Sequence, residues 1–151
     1  MNWVHLHLAL NHVPVLGVLF VGALLGLGLL RRSDELQRVS LWAMALLAAA
    51  SIAIKFTGDF AAETLATKPG MLALNQELLH AHEQSADQAT TGVFLLGLAA
   101  AAGLFLARGG RPVPRWALLT TLLLALVTFL LMARTANVGG QLRHPEIHQA
   151  P

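Results

Sequence analysis

Between Arg115 and Arg134 the chain reads Trp116-Ala117-Leu118-Leu119-Thr120-Thr121-Leu122-Leu123-Leu124-Ala125-Leu126-Val127-Thr128-Phe129-Leu130-Leu131-Met132-Ala133, eighteen residues without a charge. Apolar and polar positions do not alternate, and Leu and Ala dominate, so the stretch reads as a helix and not as a barrel strand. A hydrocarbon core of about 30 Å takes about 20 helical residues, which this run nearly supplies alone. Three more apolar runs precede it: Val13–Leu30, Leu41–Ile54 and Val93–Ala107. The middle two reach spanning length by drawing in weakly polar flanks over 39–60 and 89–106. Charged residues make up 12% of the 151 residues, about half of what a soluble domain carries. The reading is all-α: one domain over 1–151, an integral membrane four-helix up-down-up-down bundle. Its helices are expected over about 8–30, 39–62, 71–107 and 115–137, with an outer tail over 138–151.

Composition removes several chemistries. There is no Cys, which excludes disulfides, cysteine zinc sites, iron–sulfur clusters and covalently attached haem. There is no Tyr either. The formal net charge is only +2, and no basic stripe interleaved with aromatics is present, so nucleic acid is not an expected partner. Met1-Asn2-Trp3 lacks a positive leader, and Arg31-Arg32 follows the first apolar run instead of preceding it. That run is read as a retained helix, not a signal peptide.

Two loops are short and basic: 31–38, with Arg31, Arg32 and Arg38, and 108–115, with Arg108, Arg111 and Arg115. The positive-inside rule places both in the cytoplasm and both termini in the periplasm. Lys68-Pro69-Gly70 breaks the long outer connection, and helix formers from Met71 onward imply a third helix extended on the outer side. Gly139-Gly140 is expected to stop the fourth.

Counting 1.5 Å per residue from the basic ends, His12, Asp59, Asp87 and Arg134 reach about the same depth, 28–32 Å, one from each helix. Just beyond come His5, His7, Glu63, His80, His82 and Glu83, and the tail adds His144, Glu146 and His148. All seven histidines therefore lie on the outer side. Ionisable groups at such a depth are expected to face the bundle interior, pair and mark a site.

Histidines on facing helices beside an apolar slot are what a b-type haem requires. His12 and His82 are the expected axial pair and His7 with His144 a second pair, for one or two haems. Arg134 and Arg143 are expected to compensate propionate charge. The alternative metal set is His12, His82, Asp59, Glu63 and Glu83 around Zn, Cu or Fe. Glu77-x-x-His80 has the spacing of di-iron bundles, but no second such motif exists. Ser85 has no nucleophile elbow or oxyanion loop around it, so no catalytic residue is assigned. Glycines in the first and third helices are read first as close-packing positions.

Leu10-Asn11-His12-Val13-Pro14, Thr57-Gly58-Asp59-Phe60-Ala61-Ala62-Glu63, His82-Glu83 and the stretch Thr135-Ala136-Asn137-Val138-Gly139-Gly140-Gln141-Leu142-Arg143-His144-Pro145-Glu146 together resemble a group of small bacterial four-helix membrane proteins. The resemblance covers nearly the whole chain. It implies a bacterial inner-membrane location and marks His12, Glu63, His82, Glu83, Arg143 and His144, but implies no activity. Asp59 stands where that group carries Glu, which keeps the carboxylate and shortens its reach. His80 and His148 fall outside the motifs.

The leading expectation is a membrane cytochrome b-like subunit that exchanges electrons with a quinol or a periplasmic partner within a larger respiratory or redox complex. A non-haem metal protein is the second reading, and a cofactor-free structural subunit, locked by ion pairs of Arg134 with Asp59 or Asp87, is the third. Haem on one face alone cannot carry electrons across the whole membrane, because the cytoplasmic half offers no ligand.

Overall fold

The computed structural model describes residues 2–66 and 76–143, and these form helices without any strand. α1 (Trp3–Leu10) and α2 (His12–Leu30) make the first span, followed by α3 (Asp34–Ala66), α4 (Gln76–Leu106), a 3-10 turn at Arg108–Gly110 and α5 (Arg115–Arg143). α2 packs on α3, α3 on α4, α4 on α5 and α5 back on α2, which closes the four-helix ring. Four spans are long and apolar enough to cross a membrane.

The burial pattern is that of a bundle meant for lipid. Leu19, Phe20, Leu46, Phe94, Leu123 and Leu130 are exposed, while Ala48, Ala89, Ala100, Ala117, Ala125, Ser40, Thr121 and Thr128 fill the inside. Hydrocarbon gives no hydrophobic drive between helices, so small residues that let backbones approach form the interface. A Cβ at Gly97 would stand 2.7 Å from the Ala48 Cβ, so α3 and α4 pack closer there than any larger residue allows. Buried hydroxyls satisfy themselves within their own helix: Ser40 donates to Leu36 O at 2.7 Å, Ser85 to Ala81 O at 2.8 Å and Thr121 to Ala117 O at 2.8 Å. Thr128 is the exception; its hydroxyl is buried and has no partner.

α3 runs on to Ala66 instead of ending at 62, and three further helix boundaries differ from expectation, each for a local reason. The first span starts at Trp3, because the Asn2 side chain accepts from His5 N at 3.3 Å and caps it. It breaks at Asn11: Pro14 has no N–H for the Leu10 carbonyl, and the ring is tolerated only in the first turn of a new helix. α3 starts at Asp34, not 39, because Ser33 Oγ accepts from Leu36 N at 3.3 Å, and Asp34 and Glu35 suit the helix N-terminus. Gly139-Gly140 does not stop the last helix, which runs to Arg143, so 138–143 is not tail. Glycine pairs break helices where water competes for the backbone, and near a membrane core that competition is weak. The expected start at Met71 and the tail beyond Arg143 lie outside the described residues.

At the short-loop end, Ser33 N donates to Gly28 O at 3.0 Å and Arg32 N to Leu29 O at 3.3 Å, a Schellman closure of α2. Its left-handed position, normally glycine, is Arg32 with φ 52°, at a cost of about 1 kcal/mol. Arg38 reaches from α3 to the Ala107 carbonyl at 3.1 Å and to that of Arg111, capping the end of α4. Gln37 Nε2 donates to Gly28 O at 3.1 Å.

Candidate functional site

At the other end, one histidine from the first span and one from the third turn inward. His7 on α1 is half-buried, with Nδ1 3.2 Å from Thr57 Oγ1 on α3. His82 on α4 is half-buried, with Nδ1 3.2 Å from the Thr135 carbonyl on α5. The two rings lie within electrostatic range of one another.

Hydrogen-bond chemistry assigns the protons. A carbonyl only accepts, so His82 must donate through Nδ1–H. The Thr57 hydroxyl already donates to Ile54 O at 2.6 Å, so toward His7 its oxygen acts as acceptor. Both neutral rings are therefore Nδ1–H tautomers that carry their lone pair on Nε2. Among the described residues neither Nε2 has a hydrogen-bond partner. An imidazole held by one nitrogen and open at the other is the posture of a metal ligand.

Each ring also sits on a glycine of the helix that anchors it. A Cβ at Gly58 would stand 2.9 Å from His7 Cε1, and one at Gly139 3.0 Å from His82 Cε1. The sequence places Thr57 beside Gly58 and Thr135 one turn before Gly139, so each anchor comes with the space its ring needs. One turn deeper than His7 on the same face of α1, the Asn11 side-chain oxygen is buried without a partner. At this end of the bundle Trp3 stacks on Phe60, ring centroids 4.9 Å apart.

The residues expected to converge at one depth do not turn inward. His12, Asp59, Asp87 and Arg134 are all exposed. Height along a helix says nothing of azimuth, which advances about 100° per residue. Among the described residues His12 makes no side-chain hydrogen bond or ion pair, and it is His7, not His12, that turns inward from the first span. The ion pairs differ too. Lys55 stands 3.0 Å from Asp59 one turn on and 3.4 Å from Asp87 on α4, while Arg134 donates to Gln88 Oε1 at 3.3 Å. Lys55 was legible as an i,i+4 partner of Asp59 but received no role in the sequence reading. Glu63 and Glu83 are exposed, and Glu83 lies 3.5 Å from His80. His144 and the Arg143 side chain lie outside the described residues.

Among the described residues, no three His, Asp or Glu side chains form a group able to hold a bare metal ion. No protein-family model, curated protein or solved structure matches the chain.

Proposed function

We propose that the chain is a membrane cytochrome b-like subunit that holds one haem between His7 and His82 at the end of the bundle opposite the short loops. The carrying observation is the matched pair of half-buried imidazoles, each anchored through Nδ1–H and with no hydrogen-bond partner at Nε2 among the described residues. A haem supplies its own equatorial nitrogens and asks the protein for two axial donors; a bare Zn, Cu or Fe ion asks for three or four. A two-donor site with no third ligand among the described residues therefore favours haem over the non-haem set of His12, His82, Asp59, Glu63 and Glu83. When bound, the haem would supply one-electron chemistry.

The protein's own part is positional. Thr57 and the Thr135 carbonyl fix the tautomer and rotation of the rings. Gly58 and Gly139 set their depth, and the Trp3–Phe60 stack limits water. The positive-inside reading of the six loop arginines supports a site at the periplasmic face of a bacterial inner membrane. The electron partner is then a quinol or a periplasmic protein, with a larger redox complex as the setting.

The test is a reduced-minus-oxidised absorption spectrum of the purified chain in mild detergent, before and after haem addition. A sharp α band that His7→Ala and His82→Ala each remove is the expected result. No haem uptake, or uptake that survives both substitutions, overturns the assignment.

A further inference from the structure

The short-loop end carries a second site that owes nothing to the histidines. Arg32, Asp34, Gln37 and Arg115 line one open recess floored by Leu29 and Leu118. Arg38 next to it is committed to two carbonyls, but among the described residues the guanidiniums of Arg32 and Arg115 have no hydrogen-bond or ion-pair partner, and the Asp34 carboxylate has none either. Gln37 is buried and spends its Nε2 on Gly28 O, which leaves its Oε1, an acceptor, without a bond in the same recess.

Arg32 sharpens the reading. The closure of α2 asks for glycine at that position, and an arginine in left-handed conformation is a standing strain. Strain of this kind persists where the side chain serves something else. Here it brings a second cation opposite Arg115 at the level where spans end and headgroups begin. Trp116, exposed beside Arg115, marks that level in the manner of an interfacial aromatic.

We infer that this recess binds the headgroup of a phospholipid, with the phosphodiester between Arg32 and Arg115. Paired guanidiniums match phosphate oxygens through charge-assisted hydrogen bonds, and basic pockets between spans at a membrane face take lipid headgroups. Asp34 and Gln37 Oε1 beside the cations accept hydrogen bonds only, so the headgroup must carry donors beyond its phosphate. Phosphoethanolamine with its ammonium and phosphoglycerol with its hydroxyls qualify; phosphocholine, whose methylated nitrogen donates nothing, does not. Leu30, exposed at the rim of the recess, faces the first acyl carbons.

The test uses the full chain in detergent micelles, its thermal unfolding followed with added phosphatidylethanolamine, phosphatidylglycerol, phosphatidylcholine or sodium phosphate in separate samples. Phosphatidylethanolamine or phosphatidylglycerol should raise the midpoint at concentrations where phosphatidylcholine and sodium phosphate do not. Arg32→Gly together with Arg115→Gln should raise the lipid needed for half the shift by about tenfold. Arg32→Gly alone relieves the backbone strain, so that variant folds and its lipid response is readable. Asp34→Ala should weaken the preference over phosphatidylcholine while leaving the lipid response in place. An unchanged response in the double variant, an equal response to phosphatidylcholine, or an equal response to sodium phosphate, which would make the recess a free-anion site, each overturns the inference.

Discussion

His82 Nδ1 stands 3.2 Å from the Thr135 carbonyl oxygen, and because that oxygen can only accept, the bond fixes which nitrogen of the ring is free. His7 reaches the same state by another route, through a Thr57 hydroxyl whose proton is already committed to Ile54 O. The sharpest expectation follows from the contrast with His12. His7→Ala and His82→Ala should each abolish haem uptake, whereas His12→Ala, an exposed position, should leave the spectrum and stoichiometry of the wild type. Loss of haem in His12→Ala alone would return the axial role to His12.

Thr57→Val removes the acceptor that holds His7 and keeps the side chain's shape. The chain should still fold, with haem affinity lowered by about 10–100-fold, the usual effect of losing the partner of a ligand histidine. Titration of the apoprotein with haem reads this directly. An unchanged affinity would mean that Thr57 does not position the ring.

Gly139→Val should displace the His82 ring, since even a Cβ there stands 3.0 Å from Cε1. The expected signs are a shifted or missing α band and a loss of about 1–3 kcal/mol in stability, as for other overpacked positions. Gly140→Ala, with nothing within 4 Å of the added atom, is the control; it should gain up to about 1 kcal/mol from helix propensity. Equal behaviour of the two variants would deny Gly139 its role as the seat of the ring.

Thr128→Val replaces a fully buried hydroxyl that has no partner. Removing an unsatisfied polar group without changing shape should be neutral or stabilising, by up to about 1–3 kcal/mol. Thr121→Val loses a bonded hydroxyl and should not gain. Thermal unfolding of the pair in one detergent checks the order; Thr121→Val as the more stable would contradict it.

Lys55→Met leaves Asp59 and Asp87 facing each other without their shared cation. These side chains are 31%, 56% and 70% exposed, so solvent screens the pairs and the loss should stay below about 1 kcal/mol. A double-mutant cycle of Lys55→Met with Asp87→Asn measures the inter-helix part. A coupling well above that bound would mean the triad is drier than its exposure indicates.

The spans and their antiparallel order were legible because eighteen uncharged residues have few structural alternatives. The site was legible only in height. His12, Asp59, Asp87 and Arg134 share a depth, but depth counts residues along an axis, and the inward direction is set by neighbours on other helices. The informative signals were Thr57-Gly58 and Thr135 with Gly139, a hydrogen-bond acceptor beside an empty Cα on two separate helices. They gain meaning only once His7 and His82 are known to face them. Gly139-Gly140 misled for a related reason: a glycine that seats a ring reads in sequence like one that ends a helix.

Each of the two inward histidines is fastened some fifty positions away from itself, His7 to residue 57 and His82 to residue 135. The ribosome has made little more than a third of the 151 residues when the anchor of His7 appears, but nearly the whole polypeptide before that of His82. A haem held by both rings, as proposed, would therefore be loaded only after the last span is made, and a chain cut short ahead of that span would leave His82 without its anchor.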